Sequence, residues 1–212
     1  PPPPPLFSSA ASDVYKRQMW YALNGQKSEY EYSYNYQNWY PAVEYETKNT
    51  RENVGLFDLT AFSKYDLKSN NVHFELQKLC TANIKNELGK TTYTQMLNED
   101  GGIETDLTVV CLGKEYFRII TSAANRERDK FHILKHLSQD IDFEDVTDEI
   151  ACFGLFGPKS EDLLHKLTKD NISRENINFA SFKKIQIDNI DIFAQRLSYV
   201  GEYGFELYMD IN

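Results

Sequence analysis

Alternating apolar and polar residues form the clearest pattern of the sequence, and they lie near the middle of the chain. Three segments follow this two-residue period: Tyr93–Asn98, Ile103–Leu112 and Tyr116–Thr121. The period is that of a β-strand with one buried face. Gly101-Gly102 and Gly113 separate the segments and permit tight reversals of the backbone. The pattern therefore predicts an antiparallel meander.

Further strands and helices are predicted on both sides of this meander. The predicted strands are Leu56–Leu67 with its turn, Asp145–Thr147, Ala151–Phe156, Lys183–Ile187, Ile190–Ser198 and Gly204–Met209, with Asp188-Asn189 as a hairpin turn. The predicted helices are Glu46–Val54 with Gly55 as its C-terminal cap, Val72–Leu79, Arg126–Leu137, and one that starts at Pro158 and has Leu163, Leu164 and Leu167 on its apolar face. Together they predict an α+β fold with mixed, largely antiparallel sheets and packed helices.

Periodicity divides the chain into three parts. Residues 1–18 start with a proline run, have no apolar period, and are expected to be a non-native, disordered leader. Residues 19–45 are aromatic and polar without a helical or strand period, which favours an interdomain linker. Residues 46–212 are expected to form one domain. It ends within an alternating strand pattern, so we expect a truncation at the C-terminus.

Charge and cysteine content exclude several classes of function. The net charge is −9 and no Lys/Arg cluster is found, so nucleic acid is not an expected partner. The three cysteines are widely spaced, which suggests neither disulfides nor zinc. No apolar run approaches the roughly 20 residues of a membrane helix, and no signal peptide opens the chain. No membrane partner is expected, and the expected location is the cytoplasm, or the mitochondrial matrix if the source is eukaryotic.

Two strand–glycine–strand segments combine carboxylates with tyrosines. The Gly101-Gly102 turn returns Asp106 toward Tyr93, while Tyr199 and Glu206 flank a second glycine-bearing loop. A carboxylate can accept two adjacent N–H donors of a pterin or another aminopyrimidinone ring. A neighbouring tyrosine can stack on such a ring. From the spacing alone, solvated acids near strand ends and half-buried sheet tyrosines are the favoured interpretation.

Several segments resemble, in the same order, the folate-binding domain of the glycine-cleavage T-protein. The similarity is greater to the folate-binding half of dimethylglycine and sarcosine dehydrogenases, and it covers roughly residues 38–212. The segments are GLFDL, YTQMLNEDGGIETDLTV, NRERD, GPKS and RLSYVGEYGFELY.

The resemblance implies a role for five residues. Asp106 matches the aspartate that acts at the reacting centre of the folate, so it is the expected catalytic residue. Glu206 is expected to bind the pterin edge, with Tyr93 and Tyr199 in the pocket wall. Ser122 stands where the T-protein commonly carries an asparagine that contacts the folate. No metal is expected, because His132 and His136 lack the glutamate and the third ligand of a zinc motif.

The resemblance also implies an activity. Tetrahydrofolate would accept a methylene unit from an iminium made by oxidation of dimethylglycine or sarcosine, which gives 5,10-methylenetetrahydrofolate. FAD would bind only to an upstream flavin domain, since this chain has no GxGxxG motif, and the isolated fragment is expected to be inactive. Two alternatives stay open: a free-standing glycine-cleavage aminomethyltransferase, and a non-catalytic folate-binding or regulatory relative of the same fold.

Overall fold

The computed structural model describes Ala22, Gly25 and residues 29–211. The predicted leader, residues 1–18, lies outside the described residues. The same is true of residues 19–28 of the predicted linker, apart from Ala22 and Gly25. The described part contains helices and two five-stranded sheets, so the predicted α+β class is confirmed. Every ladder between the named strands is antiparallel.

Sheet one has the strand order β1-β7-β10-β9-β8, and sheet two has the order β3-β4-β5-β2-β6. The strands of sheet one are β1 Gly55–Asp58, β7 Ile150–Phe156, β8 Ser181–Ile187, β9 Ile190–Arg196 and β10 Gly204–Asp210. The strands of sheet two are β2 Ser63–Lys68, β3 Thr91–Leu97, β4 Ile103–Gly113, β5 Tyr116–Thr121 and β6 Asp142–Asp145.

The two sheets pack face to face through a shared inner layer. Val110 of β4 and Ile120 of β5 contribute from sheet two, and Phe156 of β7 and Tyr208 of β10 contribute from sheet one. Neighbouring side chains of each strand point to the opposite, outer face. The two outer faces are buried in separate apolar clusters, one on each sheet. Both faces of the central strands are therefore constrained by packing.

Helices cover the outer faces of the sheets. Val72, Leu76 and Ile133 belong to the cluster on the outer face of sheet two, and Leu164 belongs to the one on sheet one. The helices are α1 Tyr40–Glu52, α2 Val72–Leu79, α3 Arg126–His136 and α4 Ser160–Leu164, and a 3-10 turn, Ala123–Asn125, precedes α3. Within the described residues, no helix is long and apolar enough to cross a membrane.

The first helix differs from its prediction at both ends. It begins at Tyr40, inside the segment predicted to be a linker without helical structure, and Pro41 stands in its first turn, where proline is favoured. Gly55 does not cap it and is instead the first residue of β1. A Cβ atom at Gly55 would lie 2.6 Å from Thr50 Oγ1. The glycine is needed for the close approach of α1 to β1.

Two other predicted bounds are also wrong. β6 is Asp142–Asp145 rather than Asp145–Thr147, because residues 142–145 pair with β2. The last helix is only Ser160–Leu164, so Leu167 lies outside it and is exposed. The predicted meander and the Asp188-Asn189 hairpin are confirmed, and both turn residues have positive φ angles of 48° and 69°.

A buried ion pair lies within sheet two. Asp66 of β2 is the Cα partner of Arg118 on β5, and both side chains are buried. Arg118 donates from Nε to Oδ1 at 2.6 Å and from Nη2 to Oδ2 at 2.9 Å. Tyr116 also donates to this carboxylate. Removal of one partner would leave the other charge buried without compensation.

We expect Arg118→Met to lower the free energy of unfolding by roughly 3–5 kcal/mol, because the buried Asp66 carboxylate would lose its charged partner. The control is Lys68→Met on β2, the strand of Asp66. Lys68 Nζ lies 4.0 Å from a Glu144 oxygen in a half-exposed pair. That change should cost less than about 1 kcal/mol. Urea unfolding measures both, and equal costs would contradict the expectation.

Candidate functional site

The β3–β4 hairpin brings Tyr93 and Asp106 together. Tyr93 is the Cα partner of Thr108, so Asp106 is its diagonal neighbour on the same face of the sheet. Tyr93 Oη donates to Asp106 Oδ2 at 2.7 Å. The turn depends on Gly101, whose φ angle of 80° is costly for other residues. The sequence-based pairing of these two side chains is thus observed.

The Tyr93–Asp106 pair is open to solvent. Tyr93 is 62% exposed, and Asp106 is exposed as well. The hydrogen bond to Asp106 raises the pKa of Tyr93 above its usual value, so the phenol stays protonated at neutral pH. Its donated proton fixes the orientation of the carboxylate. Asp106 can then accept a further hydrogen bond from a bound molecule.

Glu206 is a carboxylate of the opposite kind, buried within sheet one. It lies on the central strand β10 and is only 8% exposed. Burial raises the pKa of Glu206, because the charged form loses its hydration. Tyr208, two residues further along the same strand face, donates from Oη to Glu206 Oε2 at 2.7 Å. This hydrogen bond opposes the effect of burial.

Both carboxylates line one pocket of about 620 Å³. Its wall also includes the three other residues predicted for the site, Tyr93, Tyr199 and Ser122. The structure therefore brings all five predicted residues together, while their individual roles stay predictions. Sheet two supplies one side of the wall, and β10 with the segment before it supplies the other. A pocket of this size fits a drug-sized ligand.

Ser122 lies directly after β5, where the chain turns into α3. Its Oγ accepts a hydrogen bond from Ala124 N at 3.4 Å, which caps the short 3-10 turn. Its carbonyl oxygen accepts one from Ser63 Oγ at 3.3 Å. These contacts fix the backbone of Ser122 on the pocket wall, and its hydroxyl proton remains available to a ligand.

Other wall residues were missed by the sequence reasoning, and three of them, Tyr208, Phe179 and Ser198, bear on the chemistry of the pocket. Tyr208 had a signal, since it follows Glu206 by two residues in a predicted strand and shares its face. Phe179 is 67% exposed and precedes Ala180, which has a φ angle of 56°. No sequence signal marks a left-handed alanine. Ser198 Oγ is shielded from solvent and has no hydrogen-bond partner among the described residues.

No metal centre accompanies this pocket in the described part of the chain. Within residues 29–211, no group of three or more His, Cys, Asp or Glu side chains is placed to hold a metal ion. His136 Nδ1 instead lies 2.8 Å from the carbonyl oxygen of His132 on α3. The chemistry available in the pocket is that of carboxylates, hydroxyls and aromatic rings.

Known proteins show similarity over almost the whole chain. The family described as the GCVT N-terminal domain matches residues 13–212. The chain is 33% identical over 195 residues to 4-methylaminobutanoate oxidase (formaldehyde-forming) from Paenarthrobacter nicotinovorans, which covers 91% of this chain and 24% of that protein. It is 30% identical over 201 residues to mitochondrial dimethylglycine dehydrogenase from Rattus norvegicus. That match covers 92% of this chain and 23% of the relative. The chain thus spans about a quarter of the length of both relatives.

A solved structure has the same fold. Glycine cleavage system aminomethyltransferase T from Bartonella henselae superposes with a TM-score of 0.70 at 21% identity. The superposition covers 85% of this chain and 49% of that chain. This likeness agrees with the predicted T-protein-like fold.

We expect Glu206→Gln to stabilise the ligand-free chain at neutral pH. The raised pKa means that the folded state binds this proton more tightly than the unfolded state. The stability that Glu206 contributes is therefore full below its ordinary pKa of 4.5 and is lost as the pH rises through the folded value. Glutamine cannot ionise, so the variant should have a higher melting temperature at pH 7 and no advantage below about pH 4.5.

The control for this comparison is Glu202→Gln in the loop before β10. Glu202 forms a solvent-accessible ion pair with Arg51, 2.5 Å from its Nη1, and does not line the pocket. The melting temperature of the Glu202→Gln variant should differ little from that of the natural chain across the same pH range. A Glu206→Gln variant less stable than the natural chain at pH 7 would contradict the interpretation.

Proposed function

The chain belongs to the GCVT N-terminal domain family, and we propose on this premise that it is the tetrahydrofolate-binding domain of a one-carbon-transferring enzyme. In the proposed reaction, a methylene unit from an oxidised N-methyl amine, such as dimethylglycine or sarcosine, is transferred to tetrahydrofolate. The product is 5,10-methylenetetrahydrofolate.

One observation carries this proposal: two carboxylates of opposite environment converge with exposed aromatic rings on one pocket. Asp106 is exposed and Glu206 is buried, yet both line the same wall. Tyr93, Tyr199 and Phe179 place partly exposed rings around them. A planar heterocycle with N–H donors on one edge matches this combination, since the rings can stack on it and a carboxylate can accept from it.

The pocket also fits such a ligand in its polar details. Glu206 is a buried hydrogen-bond acceptor. Without a ligand, the loss of hydration makes its charged form energetically costly. Ser198 Oγ, on the same wall, is shielded and has no partner among residues 29–211. Buried polar atoms of this kind are normally satisfied. A ligand edge with donors and acceptors would satisfy both.

We assign distinct roles to the two carboxylates. Glu206 would bind and orient the pterin edge from the closed side of the pocket. Asp106, on the open side, would hold or move a proton at the reacting nitrogen, and Tyr93 would fix its orientation through the 2.7 Å hydrogen bond. When bound, tetrahydrofolate supplies the nitrogen atoms that accept the one-carbon unit. Tyr199 and Ser122 would complete the contacts of the wall.

The amine chemistry is proposed to take place on another part of the enzyme. The first two relatives are named as an oxidase and a dehydrogenase, and this chain matches about a quarter of each. A flavin domain upstream in the same chain would bind FAD and oxidise the amine to the iminium. The domain described here would receive it. By itself, the present chain should not oxidise methylated amines.

A second candidate is a free-standing aminomethyltransferase of the glycine-cleavage type. The similarity in fold to aminomethyltransferase T favours it. Its donor would be a carrier-bound aminomethyl group rather than a flavin-generated iminium. A non-catalytic folate-binding relative is a third possibility, in which substitution of Asp106 would have no effect on turnover.

We expect the chain to bind tetrahydrofolate in a calorimetric titration, and Glu206→Gln to weaken binding by about tenfold or more. The reason is the loss of a charged acceptor for the pterin edge. Glu202→Gln is the control, because Glu202 lies in the loop just before β10 and pairs with Arg51. Absence of binding by the natural chain would refute the proposed function.

We expect Asp106→Asn in the full-length enzyme to lower formation of 5,10-methylenetetrahydrofolate by about 100-fold, the range of general acid–base catalysis. Amine oxidation, followed with an artificial electron acceptor, should remain unchanged. Glu104→Gln on the same strand is the control, because Glu104 pairs with Arg128 and does not line the pocket. Equal losses of both activities in the Asp106 variant would argue against a folate-specific role.

A further inference from the structure

We propose that Tyr208 is a positioning residue that keeps Glu206 ionised and correctly oriented, and thereby sets the pH range in which the pocket binds its ligand. This inference rests on the proposed function, since it concerns recognition of the same ligand. Neither the sequence pattern nor the family resemblance assigned a role to Tyr208.

The geometry joins Tyr208 to Glu206 directly. Both side chains lie on the inner face of β10, and both line the pocket. Tyr208 Oη lies 2.7 Å from Glu206 Oε2. Tyr208 is only 3% exposed and belongs to the inner apolar layer, so its ring has little freedom to move. The hydroxyl is therefore held against one oxygen of the carboxylate.

Burial fixes the direction of this hydrogen bond. Cys152 of β7 is the Cα partner of Tyr208, so its buried side chain lies beside the phenol in the inner layer. Burial raises the pKa of the Tyr208 phenol well above its usual value, so the phenol keeps its proton. The phenol therefore donates, and the Glu206 carboxylate accepts.

The hydrogen bond from Tyr208 decides which form of Glu206 a ligand meets. Burial favours the protonated carboxyl, whereas the hydrogen bond from Tyr208 favours the carboxylate and lowers its pKa. Only the carboxylate can accept two N–H donors at once, because a protonated carboxyl has a donor of its own. Tyr208 thus preserves the form that matches the edge of a pterin.

Other ionisable groups around the pocket act more weakly on Glu206. Its pKa responds chiefly to burial and to Tyr208. Gln195, its Cα partner on β9, is uncharged, and Asp58 and Lys64 act on Cys152. The other ionisable groups that share the pocket wall are Tyr93, Asp106 and Tyr199, and Cys152 lies beside Tyr208 on the neighbouring strand.

The variant Tyr208→Phe, which removes only the hydroxyl, tests the proposal. The affinity of the natural chain and of the variant for tetrahydrofolate is measured between about pH 5 and pH 8. Affinity of the natural chain should fall as the pH decreases through the pKa of Glu206. In the variant this fall should begin at higher pH, so that binding is about tenfold weaker at the acidic end and nearly unchanged at the alkaline end. A uniform loss at all pH values, or no loss, would overturn the proposal.

Tyr199→Phe is the matched control, because Tyr199 lines the same pocket without a hydrogen bond to Glu206. It should leave the pH at which affinity falls unchanged. Unfolding curves of each variant establish that the chain is folded.

A ligand-free measurement separates this inference from the proposed function. Carbon NMR of the Glu206 carboxyl group, assigned with Glu206→Gln, reports its titration directly. Tyr208→Phe should raise the pKa of Glu206 relative to the natural chain, and an unchanged pKa would refute the positioning role. If the natural chain failed to bind tetrahydrofolate, the proposed function would fail, while this titration would still decide the role of Tyr208.

Discussion

The shared inner layer between the two sheets is the constraint on which the site depends. The central strands β4 and β10 alternate their side chains between an outer apolar cluster and this layer. Over most of its area the layer is closed by groups such as Val110 and Phe156. Where its residues become polar, at Asp106 and Glu206, the sheets no longer seal against each other and the pocket opens. The pocket is thus the open edge of the two-sheet sandwich, and its wall is formed by strand residues together with the segments that adjoin them.

The contrast between the two carboxylates follows from their places in this sandwich. Asp106 is near the hairpin end of β4, where solvent reaches it, and Tyr93 orients it from the neighbouring strand. Glu206 lies on the middle strand of sheet one and is deprived of solvent on both sides. The energetic cost of this burial is a feature of the empty pocket, and a ligand that donates to the carboxylate offsets it. The burial of Glu206 therefore accounts both for the selectivity of the pocket and for the lower stability of the chain without a ligand.

Local signals predicted those parts of the molecule that are fixed by local chemistry. The Gly101 turn and the Asp188-Asn189 turn both mark hairpins correctly, and the hairpin by itself placed Tyr93 beside Asp106. Local signals could not predict that Glu206 lines the same pocket as Asp106, because this proximity results from packing between two sheets. Only the family resemblance joined the two halves.

The misplaced bounds have the same kind of cause. Gly55 is a common helix-ending residue, but here its missing side chain serves the contact between α1 and β1. Phe179 directly precedes Ala180, whose backbone has a left-handed conformation. No residue propensity predicts this conformation for alanine. In both cases a distant neighbour overrides the local preference.

The order of the strands along the chain has a consequence for biogenesis. The pocket draws one wall from residues 93–122 and the other from residues 197–208, yet β10 inserts between β7 and β9 in the middle of sheet one. On the ribosome, the nascent chain would hold the first wall for some time without the second, and long-range pairing of this kind is slow. A ligand that binds only the completed pocket would then favour the last folding step by mass action. The concentration of that ligand would then affect how much of the chain is folded.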